Sequence, residues 1–246
     1  MDLAIVFLTV FAGAFIQRLS GMGMGLVAGP VLSIVLGPVE GILVVNVMAV
    51  LNATLTTISV HRDVDWRRFG LISSVMIVGA VPAAILLKVV EVPIVLTLVG
   101  SMILLALAVT TFGRSYIPVA RGRGWALVTG VVGGFMNTLA GIAAPALTVY
   151  AQASRWDHAS FAATLQPIFF VAGLISILVK VSTGAASFAH TTVWIWPVGV
   201  AAMIVGILAG TAASRRVEKD SARRIAVALA AAGASVVLYR GVAGLL

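Results

Sequence analysis

Apolar residues in this 246-residue chain come in long unbroken runs, not in the alternation of a strand or the one-sided stripe of a surface helix. The runs 41–60, 71–87, 93–112 and 193–213 carry no charge, and each is long enough to cross about 30 Å of hydrocarbon. The pattern predicts spanning helices at about 39–60, 69–88, 92–112, 160–180, 192–213 and 222–240. Two further apolar segments, about 3–36 and 125–152, are interrupted. The first passes from Gly13 through Gln17, Arg18 and Ser20 into Gly21, Gly23, Gly25 and Pro30. The second passes from Gly133-Gly134 through Asn137 and Thr138 into Gly141, Ala143, Ala144 and Pro145. A smooth helix through either is not expected, so backbone N–H and C=O groups are freed at a depth where only protein or a water-filled cavity can satisfy them. Broken segments at corresponding places in two halves point to a transporter's binding site.

The halves are 1–112 and 125–246, joined by the loop 113–124 within one membrane domain spanning 1–246. Met76-Ile-Val-Gly79 recurs as Met203-Ile-Val-Gly206, and Val90-Glu91 recurs as Val217-Glu218 at the same offset, as a duplication would leave them. Charge then selects the topology. Leaving aside Arg18 inside the first segment, if 125–152 crosses once, the other fifteen Lys and Arg divide eight against seven between the two sides; if it dips in and returns, they divide twelve against three. Cytoplasmic loops carry the excess, so the re-entrant arrangement is preferred. Applied to 3–36 as well, it leaves three crossings per half. The expected fold is an all-α polytopic membrane protein of two inverted repeats, each a broken, re-entrant segment plus three transmembrane helices, with both termini outside.

Composition agrees: 61% of residues are hydrophobic and 10% charged. The net charge of +8 belongs to short loops and helix ends facing an anionic membrane surface, not to a nucleic-acid footprint. With no cysteine, disulfides, thiolate metal sites and cysteine catalysis are excluded. Met1-Asp2 lacks the basic start of a cleaved signal peptide.

The first interrupted stretch, 13–30, resembles the first signature of the TauE/SafE family of sulfite exporters and related anion permeases. Val64-Asp65-Trp66-Arg67 resembles a loop of that family, and residues 134–145 resemble its second signature. Arg155-Trp156 through Phe161 to Thr164 resemble the family's segment just past that second signature. The resemblance implies a bacterial inner-membrane protein that moves sulfite, sulfoacetate or other small sulfur-containing or organic anions. The second motif departs from the pattern: Asn137-Thr138 stand where Ser-Gly is expected, and Ala143-Ala144 where Gly-Gly is expected.

Freed N–H groups at a helix N-terminus suit an oxyanion. The substrate-binding candidates are Arg18, Ser20, Gly21, Gly23, Gly25, Asn137, Thr138, Gly141, Ala143 and Ala144. Gln17, Asn46, Asn52, Thr164 and Gln166 are candidates for the pathway, and Pro30, Pro145 and Pro167 for breaking helices. Arg18 has two readings: an intramembrane counter-charge, or a side chain that snorkels to an interface. No acid falls at an expected midplane, so export driven by membrane potential is preferred, with proton symport through Glu40, a histidine or the protonated substrate as the alternative. No cofactor, metal or catalytic residue is expected. A passive anion channel and a carboxylate permease of the same fold are the rival functions; monomer and homodimer both stay open.

Overall fold

The structure, a computed structural model, describes residues 2–21, 24–112, 122–214 and 219–246. Gly23, the loop residues Arg114, Pro118 and Arg121, and Val217-Glu218 lie outside the described residues. Among the described residues the regular elements are all helical, without strands. In order they are α1 (Asp2–Ser20), a π-helical turn (Met24–Ala28) running into α2 (Gly29–Val35), α3 (Pro38–Val60), α4 (Trp66–Ser73), α5 (Met76–Val89), α6 (Val92–Phe112), α7 (Arg123–Ala140), α8 (Ala144–Ala153), α9 (His158–Ser182), α10 (Ile195–Ala213) and α11 (Lys219–Ala243). Among the described residues seven helical stretches are long and apolar enough to cross a membrane, and Leu3–Ser20 is one of them. Each interrupted segment therefore has unequal arms. A long helix, α1 or α7, is followed by a short one, the 24–35 stretch or α8.

Local chemistry sets these boundaries. Gly21 and Gly141 adopt left-handed φ of +79° and +71°. Their N–H groups return to the carbonyls of Gln17 and Asn137, both at 2.8 Å. A glycine turned this way closes a helix and leads the chain out of it. Pro145 then stands in the first turn of α8, where a missing N–H costs nothing, and Pro30 follows closely on the π-helical turn that runs into α2. Pro167 behaves differently from its expected role. It lies inside α9, which continues unbroken from His158 to Ser182, because one lost hydrogen bond is carried by a long, well-packed helix. The expected helix 69–88 also differs, since it is interrupted at Ser74-Val75 between α4 and α5. There the Ser74 hydroxyl donates to the Leu71 carbonyl at 3.1 Å, competing with the helical ladder.

Glycines let the spanning helices approach closely, as small residues do at membrane helix interfaces. Phe11 and Phe15 abut Gly206, and Arg18 abuts Gly210, so α1 and α10 run the same way. Ile72 abuts Gly130, Met76 abuts Gly134, and Val131 abuts Gly79, so α5 and α7 also run the same way. By contrast α3 and α9 run oppositely: Val50 meets Gly173 and Asn46 meets Ser176, while Asn52, Val60, His158 and Gln166 line one cavity. So do α6 and α11, where Pro93 and Thr97 meet Gly241 and Gly100 meets Ala234 and Leu238. Outward faces such as Ile77, Val81 and Ile85 on α5, or Ile204 and Leu208 on α10, are exposed and apolar, as a lipid-facing surface requires.

Candidate functional site

The two interruptions meet. A Cβ built on Gly25 would overlap the carbonyl oxygen of Gly141, and one on Gly29 would press on the carbonyl of Ala140. Only a residue without a side chain allows backbone this close. Around the contact lies a cavity of about 30 Å³ lined by Gln17, Met24, Gly25, Asn137, Gly141, Ala143 and Ala144 among others. Space for a water begins at roughly 10–15 Å³, so the cavity has room for a water-sized polar group. Ala143 and Ala144 open α8, and the first turn of a helix holds amides without intrahelical acceptors. Ala143 has φ −97° and ψ −24°, a conformation that alanine adopts without strain, so the loss of glycine there carries no backbone penalty.

Gln17 and Asn137, each four residues before a helix-closing glycine, both line this cavity. The Gln17 carbonyl oxygen, Oε1, accepts the Met24 N–H at 3.0 Å. That donor is therefore already satisfied within the protein. Asn137 Nδ2 donates to Asn46 Oδ1 at 3.1 Å, and Asn46 Nδ2 donates to Ser176 Oγ at 2.7 Å. Asn46 therefore braces the site from α3 without lining the cavity, as interhelical amides commonly do.

Gln17 also borders a second, larger cavity of about 300 Å³, shared with Arg18, Ser20, Gly21, Asn52, Asp63, His158 and Gln166. This vestibule sits where α1 ends, α3 ends and α9 begins. Arg18 is exposed there, with Nε donating to Thr211 Oγ1 at 2.9 Å. Asn52 and Gln166 are buried at its wall, and Gln166 Oε1 has no hydrogen-bond partner among the described residues. Ser20 Oγ donates to the Ile16 carbonyl at 2.9 Å.

Sequence comparison fits the same picture. The chain matches the family described as Sulfite exporter TauE/SafE over residues 5–237. It belongs to that family. No curated protein and no solved structure matches it. Membership in the TauE/SafE family implies a multi-pass membrane exporter of sulfite or a related anion.

Within this TauE/SafE chain the loop after α3 is structural. Asp65 caps α4, its carboxylate accepting the Arg68 N–H at 3.0 Å. Its own N–H donates to Thr164 Oγ1 at 2.9 Å, and Thr164 Oγ1 donates to the Ser160 carbonyl at 2.7 Å. Thr164, a pathway candidate, thus ties a loop to α9 and lines neither cavity. Arg68 stacks over the Trp156 ring at 4.5 Å, which brings the two family-like loops together. Thr138, a candidate for substrate contact, is fully buried with Oγ1 unpartnered among the described residues, and it too lines neither cavity.

One residue is not visible as special in the sequence. Lys180 reads there as a helix-end cation, yet it is fully buried, and its Nζ makes no hydrogen bond among the described residues. Arg18, read either as an intramembrane counter-charge or as a snorkelling side chain, is exposed. The signal that separates them is tertiary: α3 and α5 both pack on α9.

Proposed function

We propose that this chain exports small sulfur-containing or organic anions such as sulfite, sulfoacetate or another sulfonate, by alternating access at the junction of its two broken segments. The carrying observation is that Gln17 borders both the polar vestibule and the small cavity beside the α8 N-terminus. An anion entering past Arg18 is handed on by Gln17, the residue common to both linings, to the amides of Ala143 and Ala144 and the side chain of Asn137. The oxyanion head takes the inner cavity, and the organic tail of a longer substrate takes the vestibule.

The repeats are inverted on this reading. Corresponding helices from the two halves, α3 with α9 and α6 with α11, run in opposite directions, while α1·α10 and α5·α7 exchange with one another under the pseudo-two-fold. The basic residues Arg18, Arg62, Arg67, Arg68 and Arg155 lie at the vestibule end, against Lys88, Lys180 and Arg240 at the other. The positive-inside rule then turns the vestibule to the cytoplasm and both termini outward. An anion leaving a negative-inside cell gains about 2.3 kcal/mol per charge per 100 mV, enough to drive export without a coupling ion.

The test is a thermal-shift screen of purified protein against sulfite, sulfoacetate, thiosulfate, sulfate and short carboxylates, followed by flux from proteoliposomes. Stabilisation by one of these anions, with saturable flux, counter-transport of unlabelled anion and dependence on membrane potential, supports the reading. Absence of stabilisation and of saturable flux with every anion sinks it. Unitary conductance in place of counter-transport would make the protein a channel.

A further inference from the structure

We infer that Lys180, with Glu40, forms a second anion station on the exit side of the junction, an inference that rests on the proposed export function. The antiparallel α3–α9 pair carries a file of polar side chains away from the inner cavity. Asn137 borders that cavity and donates to Asn46. Asn46 donates to Ser176, and Lys180 stands one turn beyond Ser176 on the same face of α9. The vestibule lies at the opposite end of these two helices. Counter-charges thus stand on both sides of the junction, Arg18 on one and Lys180 on the other.

The state of Lys180 calls for a ligand. An ammonium offers three donors, and here all three lack acceptors among the described residues at a position with no exposure. Buried charge without hydrogen bonds is among the costliest arrangements a protein keeps. Glu40 stands in the first turn of α3, at the end of the antiparallel pair where α9 finishes just past Lys180. Lys88, another cation near this end, is exposed and donates from Nζ to the Thr183 carbonyl at 3.2 Å, so it is engaged elsewhere. An oxyanion arriving from the inner cavity would supply the acceptors that the ammonium lacks. Glu40 competes for the same charge, keeping the hold on the anion weak enough for release, as conduction through successive sites requires.

Competition predicts opposite effects from the two partners. Efflux of radiolabelled sulfite from proteoliposomes holding the full chain is measured as KM and maximal rate. Lys180→Met is expected to raise KM about tenfold, and Glu40→Gln to lower KM about threefold while slowing the maximal rate, shifts of roughly 1.4 and 0.65 kcal/mol. The double variant keeps a raised KM. A purely structural ion pair would move both single variants the same way and let the double variant recover, which overturns the station. Should Lys180→Met fail to fold, Glu40→Gln decides alone, since an unchanged or higher KM also overturns it. Wild-type protein without saturable sulfite flux overturns both this inference and the sulfite export on which it rests, whereas wild-type flux with same-direction shifts overturns the station only.

Discussion

Gly25 and Gly141, one from each interrupted segment, touch so closely that a methyl group on the first would occupy the carbonyl oxygen of the second. The contact fixes the shape of the cavity between them. Gly25→Ala must push the segments apart, at an overpacking cost of about 1–3 kcal/mol, and sulfite efflux is expected to fall more than tenfold (over about 1.4 kcal/mol in the barrier). Gly124→Ala is the control, because a Cβ there meets nothing within 4 Å. Equal flux from both variants would show that the junction tolerates separation and is not the site.

Gln17 separates a structural duty from an electrostatic one. Gln17→Leu removes the acceptor for the Met24 N–H, leaving a buried donor unsatisfied at a cost of about 1–3 kcal/mol. Its melting temperature should fall by several degrees. Gln17→Glu keeps an acceptor but sets a negative charge on the wall of both cavities. Because Gln17 is buried, the carboxylate also costs stability, so the melting temperature should fall here too, but anion efflux is expected to drop about tenfold, more than with Gln17→Leu. Normal efflux with Gln17→Glu would mean that substrate passes elsewhere.

How far could the sequence lead? Long charge-free runs announce spanning helices because lipid imposes the same demand on every residue, so α3, α6 and α10 fall within a few residues of expectation. The interruptions are equally legible, since glycine and proline act locally at Gly21, Pro30, Gly141 and Pro145. What stays hidden depends on partners far along the chain. Gln17 taking the Met24 N–H, Asn46 bracing Asn137 from another helix, and Lys180 sealed behind α3 and α5 are tertiary facts. Pro167 misleads for the same reason, because packing along α9 overrides a local preference against helix. Arg18 and Lys180 differ for the same reason: distance along the helix gives depth, but neighbours decide exposure.

The Asn46–Asn137 bond can be weighed by a double-mutant cycle. Each amide loses a buried partner when the other becomes alanine, so Asn46→Ala and Asn137→Ala should be less than additive. The coupling is expected at about 0.6 kcal/mol, and below about 1.7 kcal/mol, the range for hydrogen bonds between membrane helices. Unfolding of the detergent-solubilised protein measures it. Only Asn137 lines the cavity, so Asn137→Ala should also weaken the thermal shift produced by sulfite, whereas Asn46→Ser, which can still hold Asn137, should not. Full additivity would mean that the two side chains act independently.

Arg18 and Asp63 share the vestibule and carry opposite charges, so steering of an incoming anion should respond to them with opposite sign. Arg18→Gln is expected to raise KM several-fold at low salt, and Asp63→Asn to lower it. Both effects should fade as ionic strength rises, because the screening length shrinks from about 30 Å at 0.01 M to about 3 Å at 1 M. Stability should change by no more than about 0.5 kcal/mol in either variant, since both side chains are exposed. A side chain that merely snorkels past the Thr211 hydroxyl would leave KM unchanged at every salt concentration. The salt series on Arg18→Gln therefore separates an entry charge for the substrate from an anchor for the helix end.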